Sequence, residues 1–347
     1  MKKEYIIGLN GIRAIAVFLV IIAHRFPNDH IFMSFPLGAY GVNVFFVLSG
    51  FLISRGLFFE LNTGVSTFIS NIRVLKNFIA KRFLRIFPIY YLLLLFMYLA
   101  NGVVGNNFRE NIMWYVFYGA NYLIYKEEKW LGCLGHLWSL SVEEQFYVFF
   151  PILLIFFFRK RILLMLLTFI IIGTIYPFFV DGWSNVLTLS CINAFGIGGL
   201  LAYIEVYKSS LLSRFYKVAS SLSIPILLLL ICHNLYFQIP FFSERLAVAI
   251  LAVYIISLCL LREDTYVVNK ILNNRFLNFV GIISYGVYLY HNIVAKYWNH
   301  FFPKSNIDPF SYVEFLLQTT LVIIVSYLSW IIIEKPILKM KKHLIIS

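Results

Sequence analysis

The chain has 347 residues, of which 61% are hydrophobic and only 13% are charged, and its formal net charge at pH 7 is +13. Soluble domains carry about 25% charged residues, so this composition excludes a soluble globular protein and predicts an all-α, polytopic membrane protein. The positive charge does not indicate a nucleic-acid partner, because the basic residues lie in short loops where an anionic leaflet attracts them.

Apolar runs follow one another along the chain at the length that a bilayer requires. A hydrocarbon core of about 30 Å is crossed by roughly 20 residues of helix. Ten spans are predicted, near residues 11–26, 37–58, 86–104, 136–158, 162–180, 185–206, 217–237, 245–261, 277–298 and 312–333. The first run could alternatively be a signal peptide, but no small-x-small cleavage site follows Ala23, so a retained helix is predicted.

Basic residues indicate the orientation, because they concentrate on the cytoplasmic side of membrane proteins. With the N-terminus inside, about three quarters of the Lys and Arg residues lie on the inner side. This bias predicts that both ends are in the cytoplasm. Residues 1–347 are predicted to form a single integral-membrane domain with no fused soluble domain, and the sequence lacks the internal repeat of many transporters.

Two segments between the predicted spans stand out. The inner loop 55–85 has an apolar stripe at helical spacing from Phe68 to Ile86, which predicts a helix along the inner membrane surface. The outer segment 105–135 is rich in Trp, Tyr and Asn and is predicted to be a lid or a partly inserted hairpin. The four cysteines show no CxxC spacing, so neither a disulfide framework nor a metal site is expected.

Polar residues inside the spans are the functional candidates, because an ionisable side chain in a bilayer costs about 2.5–3.5 kcal/mol on insertion scales. Helix rise places four of them, on four different helices, about 20 Å above the inner face: His24, Asn43, Glu143 and His291. The common depth predicts one site, in which Glu143 or Asn43 lies beside His24. The alternative for each residue is a structural hydrogen bond or ion pair within the bundle.

A second polar layer is cationic and lies at the inner face. Arg82 and Arg85 are three residues apart on one helical face, and Arg13 precedes His24 on the first predicted helix. Because arginine binds phosphate through bidentate hydrogen bonds, this layer predicts a site for a phosphorylated donor that enters from the cytoplasm. The alternative is that these arginines belong only to the basic belt that sets the topology.

Nearly end to end, the chain resembles acyltransferase family 3, whose members are membrane proteins that acylate cell-surface carbohydrates. The matching stretches are Arg13 and His24 in an Arg-x10-His spacing, Gly41–Ile53, Lys81–Pro88 with an Arg-x-x-Arg spacing, His136–Tyr147, Ser284–His291 and Glu334–Pro336. Each is modest evidence alone, and their occurrence in this order is strong evidence together.

The resemblance implies ten spans, acyl-CoA as the cytoplasmic donor and transfer of the acyl group to a carbohydrate hydroxyl. It implies that His24 is catalytic. The residues that it places on the donor side are Arg13, Arg82 and Arg85. The chain departs from the family at Asn43, where Asp is usual. An amide cannot act as a base at neutral pH, so Glu143 becomes the better carboxylate candidate.

These observations predict an O-acyltransferase of the bacterial cytoplasmic (inner) membrane, which uses acetyl-CoA and a lipid-linked or surface carbohydrate such as lipopolysaccharide. His24 is predicted to be the general base, acting directly or through an acyl-histidine step, with Glu143 assisting it. The predicted acceptor-binding residues are Asn43, Ser49, Trp138, Tyr290 and His291.

Two other classes of protein remain as alternatives. A glycan or lipid exporter without chemistry would need a continuous polar path, of which the uninterrupted apolar runs give little sign. A membrane sensor or scaffold would give no reason for stacked Arg, His and Glu residues. Acyl-CoA turnover separates both alternatives from an enzyme.

Overall fold

The computed structural model describes residues 5–62, 67–100, 108–261, 266–302 and 311–340, and these residues contain helices and turns but no strand. The all-α prediction is therefore confirmed over the described residues. The α-helices are α1 (Leu9–Arg25), α2 (Leu37–Asn62), α3 (Phe68–Leu99), α4 (Ile112–Val116), α5 (Ala120–Glu127), α6 (Leu137–Ile152), α7 (Ile162–Ile175), α8 (Thr188–Tyr207), α9 (Leu212–Leu235), α10 (Glu244–Leu261), α11 (Arg275–Phe301), α12 (Tyr312–Ser329) and α13 (Lys335–Lys339).

The chain is a multi-pass membrane protein by the length and composition of its helices. Seven segments within the described residues are long and apolar enough to cross a membrane: Leu37–Asn62, Phe68–Leu99, Gly132–Phe157, Thr188–Tyr207, Ser209–Leu235, Glu244–Leu261 and Tyr312–Lys339. A shorter apolar helix covers Ile162–Phe178. Two long helices are not among these spanning segments: α1, which has 17 residues, and α11, which carries His291 and Lys296. Each of the ten predicted spans overlaps a helix.

The predicted surface helix in loop 55–85 and the third predicted span are one element. α3 is a continuous helix of 32 residues, and Pro88 is accommodated inside it. No residue before Pro88 interrupts the helical pattern, which explains why the chain does not bend into a separate surface helix. Arg82 and Arg85 therefore belong to a helix that is long and apolar enough to span the membrane.

The predicted outer segment is described from residue 108 onward and includes the short helices α4 and α5. The Tyr90 hydroxyl of α3 donates to the Tyr115 carbonyl at 2.8 Å. Its neighbour Tyr91 donates to the Val116 carbonyl at 2.9 Å. These hydrogen bonds hold the segment against the end of α3.

α1 packs between α2 and α11 and contacts both along its length. Two glycines allow this approach: a Cβ on Gly41 of α2 would lie 2.3 Å from the Ala16 carbonyl oxygen. A Cβ on Gly281 of α11 would lie 2.0 Å from the Asn10 carbonyl oxygen. Small residues permit such close crossings between membrane helices. The result is that His24, near the end of α1, is held beside α11.

Candidate active site

Three arginines line one cavity between α1, α2, α3, α6 and α11. Arg13 comes from α1, and Arg82 and Arg85 come from α3. We call this space the arginine cavity. Its lining also includes Phe45, Phe46, Ser49, Ser139, Glu143, Tyr147 and Tyr288. The residues predicted to face the donor therefore share one compartment.

The three arginines are not neutralised by ion pairs within the described part of the chain. Arg13 donates to the side-chain oxygen of Asn10 at 2.9 Å. The Arg82 guanidinium lies over the Tyr147 ring, 5.3 Å from its centroid, and Arg85 is exposed. Guanidinium groups without a carboxylate partner attract anionic ligands, and phosphate fits their planar fork.

A second space lies next to the arginine cavity, near the end of α2. Leu52, Arg82 and Arg85 line both spaces, and Glu60 and Lys81 line the second. Lys81 and Glu60 form an ion pair with 2.6 Å between Nζ and Oε1. The two spaces therefore share Arg82 and Arg85, and the second space is lined by further charged side chains.

Glu143 lies on the wall of the arginine cavity and is held by two hydroxyl groups. Its Oε1 accepts a hydrogen bond from Ser49 at 3.2 Å, and its Oε2 accepts one from Tyr147 at 2.8 Å. The Ser49 and Tyr147 hydroxyl oxygens are 3.2 Å apart. We call these three residues the Glu143 network. Ser49, predicted to bind the acceptor, is thus a partner of Glu143 inside the arginine cavity.

His24 lies against a second histidine, which lies against a third. The ring centroids of His24 and His291 are 5.2 Å apart, and those of His291 and His136 are 4.7 Å apart. We call these residues the histidine row. His24 is exposed, whereas His291 is 1% exposed and His136 is 6% exposed. The row therefore has one accessible end, and that end is the predicted catalytic histidine.

His136 is buried, because α11 covers it and supplies its hydrogen-bond partners. Its Nε2 lies 3.2 Å from the Leu289 carbonyl oxygen, and its Nδ1 lies 3.4 Å from the Asn292 amide nitrogen. Arg25 donates to the side-chain oxygen of that asparagine at 3.0 Å. The burial of His136 could not be predicted from its position just before a predicted span, because it depends on the contact with α11.

Tyr288 and Ser139 form a wall between the arginine cavity and the histidine row. Both residues line the cavity, and their hydroxyl groups are hydrogen bonded to each other. The Tyr288 hydroxyl also donates to the His136 carbonyl at 2.8 Å. The Tyr288 ring centroid is 5.6 Å from those of both His136 and His291. The arginine cavity and the histidine row are therefore direct neighbours.

The remaining predicted acceptor-binding residues lie at separate places. The Asn43 amide is buried and donates to the backbone carbonyl of Arg245 at 2.5 Å. The Tyr290 hydroxyl is 3.0 Å from a serine hydroxyl of α12. The Trp138 ring packs edge-on against Phe46, with centroids 6.2 Å apart. Through its neighbour Phe46, Trp138 lies behind the lining of the arginine cavity.

The four residues predicted to share one depth are therefore not joined by one set of contacts. His24 and His291 touch, whereas Glu143 bonds within its own network and Asn43 bonds to α10. Within the described residues, no hydrogen bond joins His24 to Glu143 or to Asn43. Helix rise predicts height but not the direction in which a side chain points around the helix axis.

A family model described as an acyltransferase domain matches residues 6–335 of the chain. The match covers the arginine cavity, the Glu143 network and the histidine row.

Three relatives show how far the similarity extends. A Staphylococcus aureus (strain COL) protein, provisionally named an O-acetyltransferase, is 28% identical over 374 residues, which cover 97% of this chain and 58% of that protein. The peptidoglycan O-acetyltransferase OatA of Listeria monocytogenes is 27% identical over 371 residues, covering 97% and 56%. The O-acetyltransferase OatA of Staphylococcus aureus (strain NCTC 8325) is 26% identical over 377 residues, covering 97% and 58%.

The chain thus spans a little over half the length of the curated relatives that it matches. No solved structure matches it.

Proposed function

Because this chain belongs to acyltransferase family 3, we propose that it moves an acetyl group from acetyl-CoA to a carbohydrate hydroxyl. The observation that carries the proposal is the arginine cavity, where three arginines without an ion-pair partner in the described residues face one space. CoA bears phosphate groups at one end and the reactive thioester at the other. Relatives named as O-acetyltransferases support acetyl as the group transferred.

The topology proposed for this reaction has ten spans, with both ends of the chain in the cytoplasm of a bacterium. The second space beside Lys81 and Arg85 then opens at the inner face of the cytoplasmic membrane, where acyl-CoA is available. α1 counts as a span in this topology because its 17 residues reach the lower end of the roughly 17–25 residues that cross a bilayer. α11 counts as a span because polar residues are tolerated in a membrane helix when they face the bundle interior.

His24 is the proposed general base. One of its ring nitrogens takes the proton of the acceptor hydroxyl while the hydroxyl oxygen attacks the thioester carbonyl carbon. The ester C–O bond forms, the C–S bond breaks, and the proton passes to sulfur, so that CoA leaves as the thiol. An acyl-histidine route reaches the same products in two steps: the C–S bond breaks as an N–acyl bond to His24 forms, and that N–acyl bond breaks as the ester C–O bond forms. Glu143 is proposed to assist from the arginine cavity, next to the bound donor.

The proposed acceptor is a cell-surface carbohydrate such as peptidoglycan, because one relative is named for that acceptor. A lipid-linked glycan is a second form in which the same hydroxyl could be presented. The exposed side of His24 is the place where the hydroxyl arrives in this proposal.

Acetyl-CoA turnover by the purified protein in lipid nanodiscs tests this function. Free thiol is followed with and without a peptidoglycan fragment, and the ester product is identified by mass spectrometry. The wild-type protein is expected to release CoA, and His24→Ala is expected to be slower by about 10²–10⁴-fold, the usual contribution of a general base. The control is His233→Ala, a histidine outside the cavity and the row.

Equal rates in the His24→Ala and wild-type proteins would contradict the catalytic role of His24. A complete absence of thiol release from the wild-type protein, with glycan export intact, would favour an exporter instead.

A further inference from the structure

His291 has a buried ring nitrogen that lacks a hydrogen-bond partner. Its Nδ1 lies 2.6 Å from the backbone carbonyl oxygen of Tyr288, and because a carbonyl only accepts, Nδ1 carries the proton. The Nε2 of a neutral imidazole is then an acceptor. This Nε2 is buried, and no partner for it exists within the described residues. An unsatisfied buried acceptor is costly, so the site favours a donor that can reach it.

Of the two histidines in contact with His291, only His24 is available as that donor. Both ring nitrogens of His136 are engaged, one with the Leu289 carbonyl and the other with Asn292. His24 makes no hydrogen bond within the described residues, and its ring centroid is 5.2 Å from that of His291. A small rotation of the His24 side chain, or one intervening water, closes this gap.

We propose that His291 is the positioning residue of His24, because the His291 Nε2 accepts a hydrogen bond from one N–H of His24. This hydrogen bond determines which His24 nitrogen stays unprotonated and takes the proton of the sugar hydroxyl. This inference rests on the proposed function, in which His24 is the general base. Histidine bases are commonly oriented by a carboxylate. Within the described residues, the group next to His24 is the neutral histidine His291 and not a carboxylate.

Burial separates this role from direct contact with the sugar. His291 is 1% exposed, whereas His24 is exposed, so an acceptor reaches His24 first and His291 acts through it. A neutral acceptor also holds an imidazolium less tightly than a carboxylate would. The proton that His24 takes from the hydroxyl is therefore released more readily to the departing sulfur.

The first test reads the tautomer of His24 without any substrate. Nitrogen NMR of histidine-labelled protein in nanodiscs is recorded for the wild type and for His291→Leu, and the His24 signals are identified by their loss in His24→Ala. A single His24 tautomer is expected in the wild type and a mixture in His291→Leu. The matched control, His233→Leu, is expected to leave the His24 signals unchanged. Identical His24 signals in the wild type and in His291→Leu would overturn the inference.

The second test is kinetic and uses rescue. His291→Leu is expected to lower kcat by about 10²-fold with the KM for acetyl-CoA unchanged, because the base is misoriented while the donor site is intact. His291→Gln, whose side-chain oxygen can accept the same N–H, is expected to recover activity by about tenfold over the leucine variant. Equal losses in both variants, or a loss expressed only in KM, would show a structural or donor-binding role.

The two proposals fail in different ways. If His24→Ala retains full acetyl transfer while His291→Leu still mixes the tautomers, the proposed function of His24 is wrong and its hydrogen bond to His291 stands. If His24→Ala is inactive while His291→Leu changes neither tautomer nor kcat, the function stands and the positioning role is wrong.

Discussion

Replacing Tyr147 by Phe removes one hydroxyl from the Glu143 network and leaves the aromatic ring. The lost hydrogen bond is the one to Glu143 Oε2, which measures 2.8 Å. Glu143 keeps its 3.2 Å hydrogen bond from Ser49. The ring under the Arg82 guanidinium, 5.3 Å away, is preserved, because a phenylalanine face also attracts a cation. The substitution therefore tests the role of the carboxylate separately from that of Arg82, which is proposed to bind the donor.

The size of the effect follows from these contacts. A hydrogen bond to a charged group contributes about 1.5–3 kcal/mol, which corresponds to a rate change of about 10- to 150-fold. We expect Tyr147→Phe to lower kcat within this range and to leave the KM for acetyl-CoA unchanged. Tyr147→Leu also removes the contact with Arg82, worth about 0.5–2 kcal/mol, and is expected to raise that KM as well.

The assay is thiol release from acetyl-CoA by nanodisc-embedded protein over a range of donor concentrations. Tyr91→Phe is the matched control, because it removes a 2.9 Å hydrogen bond to a backbone carbonyl outside the arginine cavity. Unchanged kcat in Tyr147→Phe would refute a role for Glu143 in the reaction. An equal rise in KM for the Phe and Leu variants would refute the separation of carboxylate from arginine.

Two further predictions concern the donor site and the helix packing. Arg82→Lys and Arg85→Lys are each expected to weaken acetyl-CoA binding by about tenfold, because lysine keeps the charge but loses the bidentate fork. Calorimetry measures this affinity, and an unchanged value would mean that these arginines only set the topology. Gly281→Ala is expected to destabilise the protein by about 1–3 kcal/mol, because its Cβ would lie 2.0 Å from the Asn10 carbonyl oxygen. Gly286→Ala on the same helix, where the nearest atom is a side-chain carbon at 3.3 Å, should shift the Tm far less, and equal shifts would contradict the packing argument.

Hydropathy located the bundle well, since each predicted span overlaps a helix. It did not show how loop 55–85 joins the third span, because an apolar stripe with basic neighbours was predicted to lie on the membrane surface. The same residues form the first part of the continuous helix α3. A stripe at helical spacing shows which residues share a face, but it does not show whether the helix bends before the next span.

The site was predicted in part. Depth placed His24 and His291 at one height, and the structure brings them together because α1 and α11 pack side by side. Glu143 stands at the same predicted height yet turns into the arginine cavity with Ser49. A single residue further along, Glu144 is buried with one carboxylate oxygen unpartnered among the described residues. Successive residues point about 100° apart around a helix, so the rotation of α6 about its axis decides which of the two carboxylates faces the cavity. Hydropathy gives little information about this rotation.

The wall made by Tyr288 and Ser139 has a consequence for the energy of the cell. The hydroxyl groups of Tyr288 and Ser139 are hydrogen bonded to each other, and that of Tyr288 also donates to the His136 carbonyl. These two side chains separate the arginine cavity from the adjacent histidine row. A continuous wet passage between two such compartments would dissipate the proton gradient, at about 2.3 kcal/mol for each charge crossing 100 mV. If acetyl transfer follows the proposed route, this barrier lets the reaction proceed without a continuous wet passage, and the bilayer stays electrically insulating.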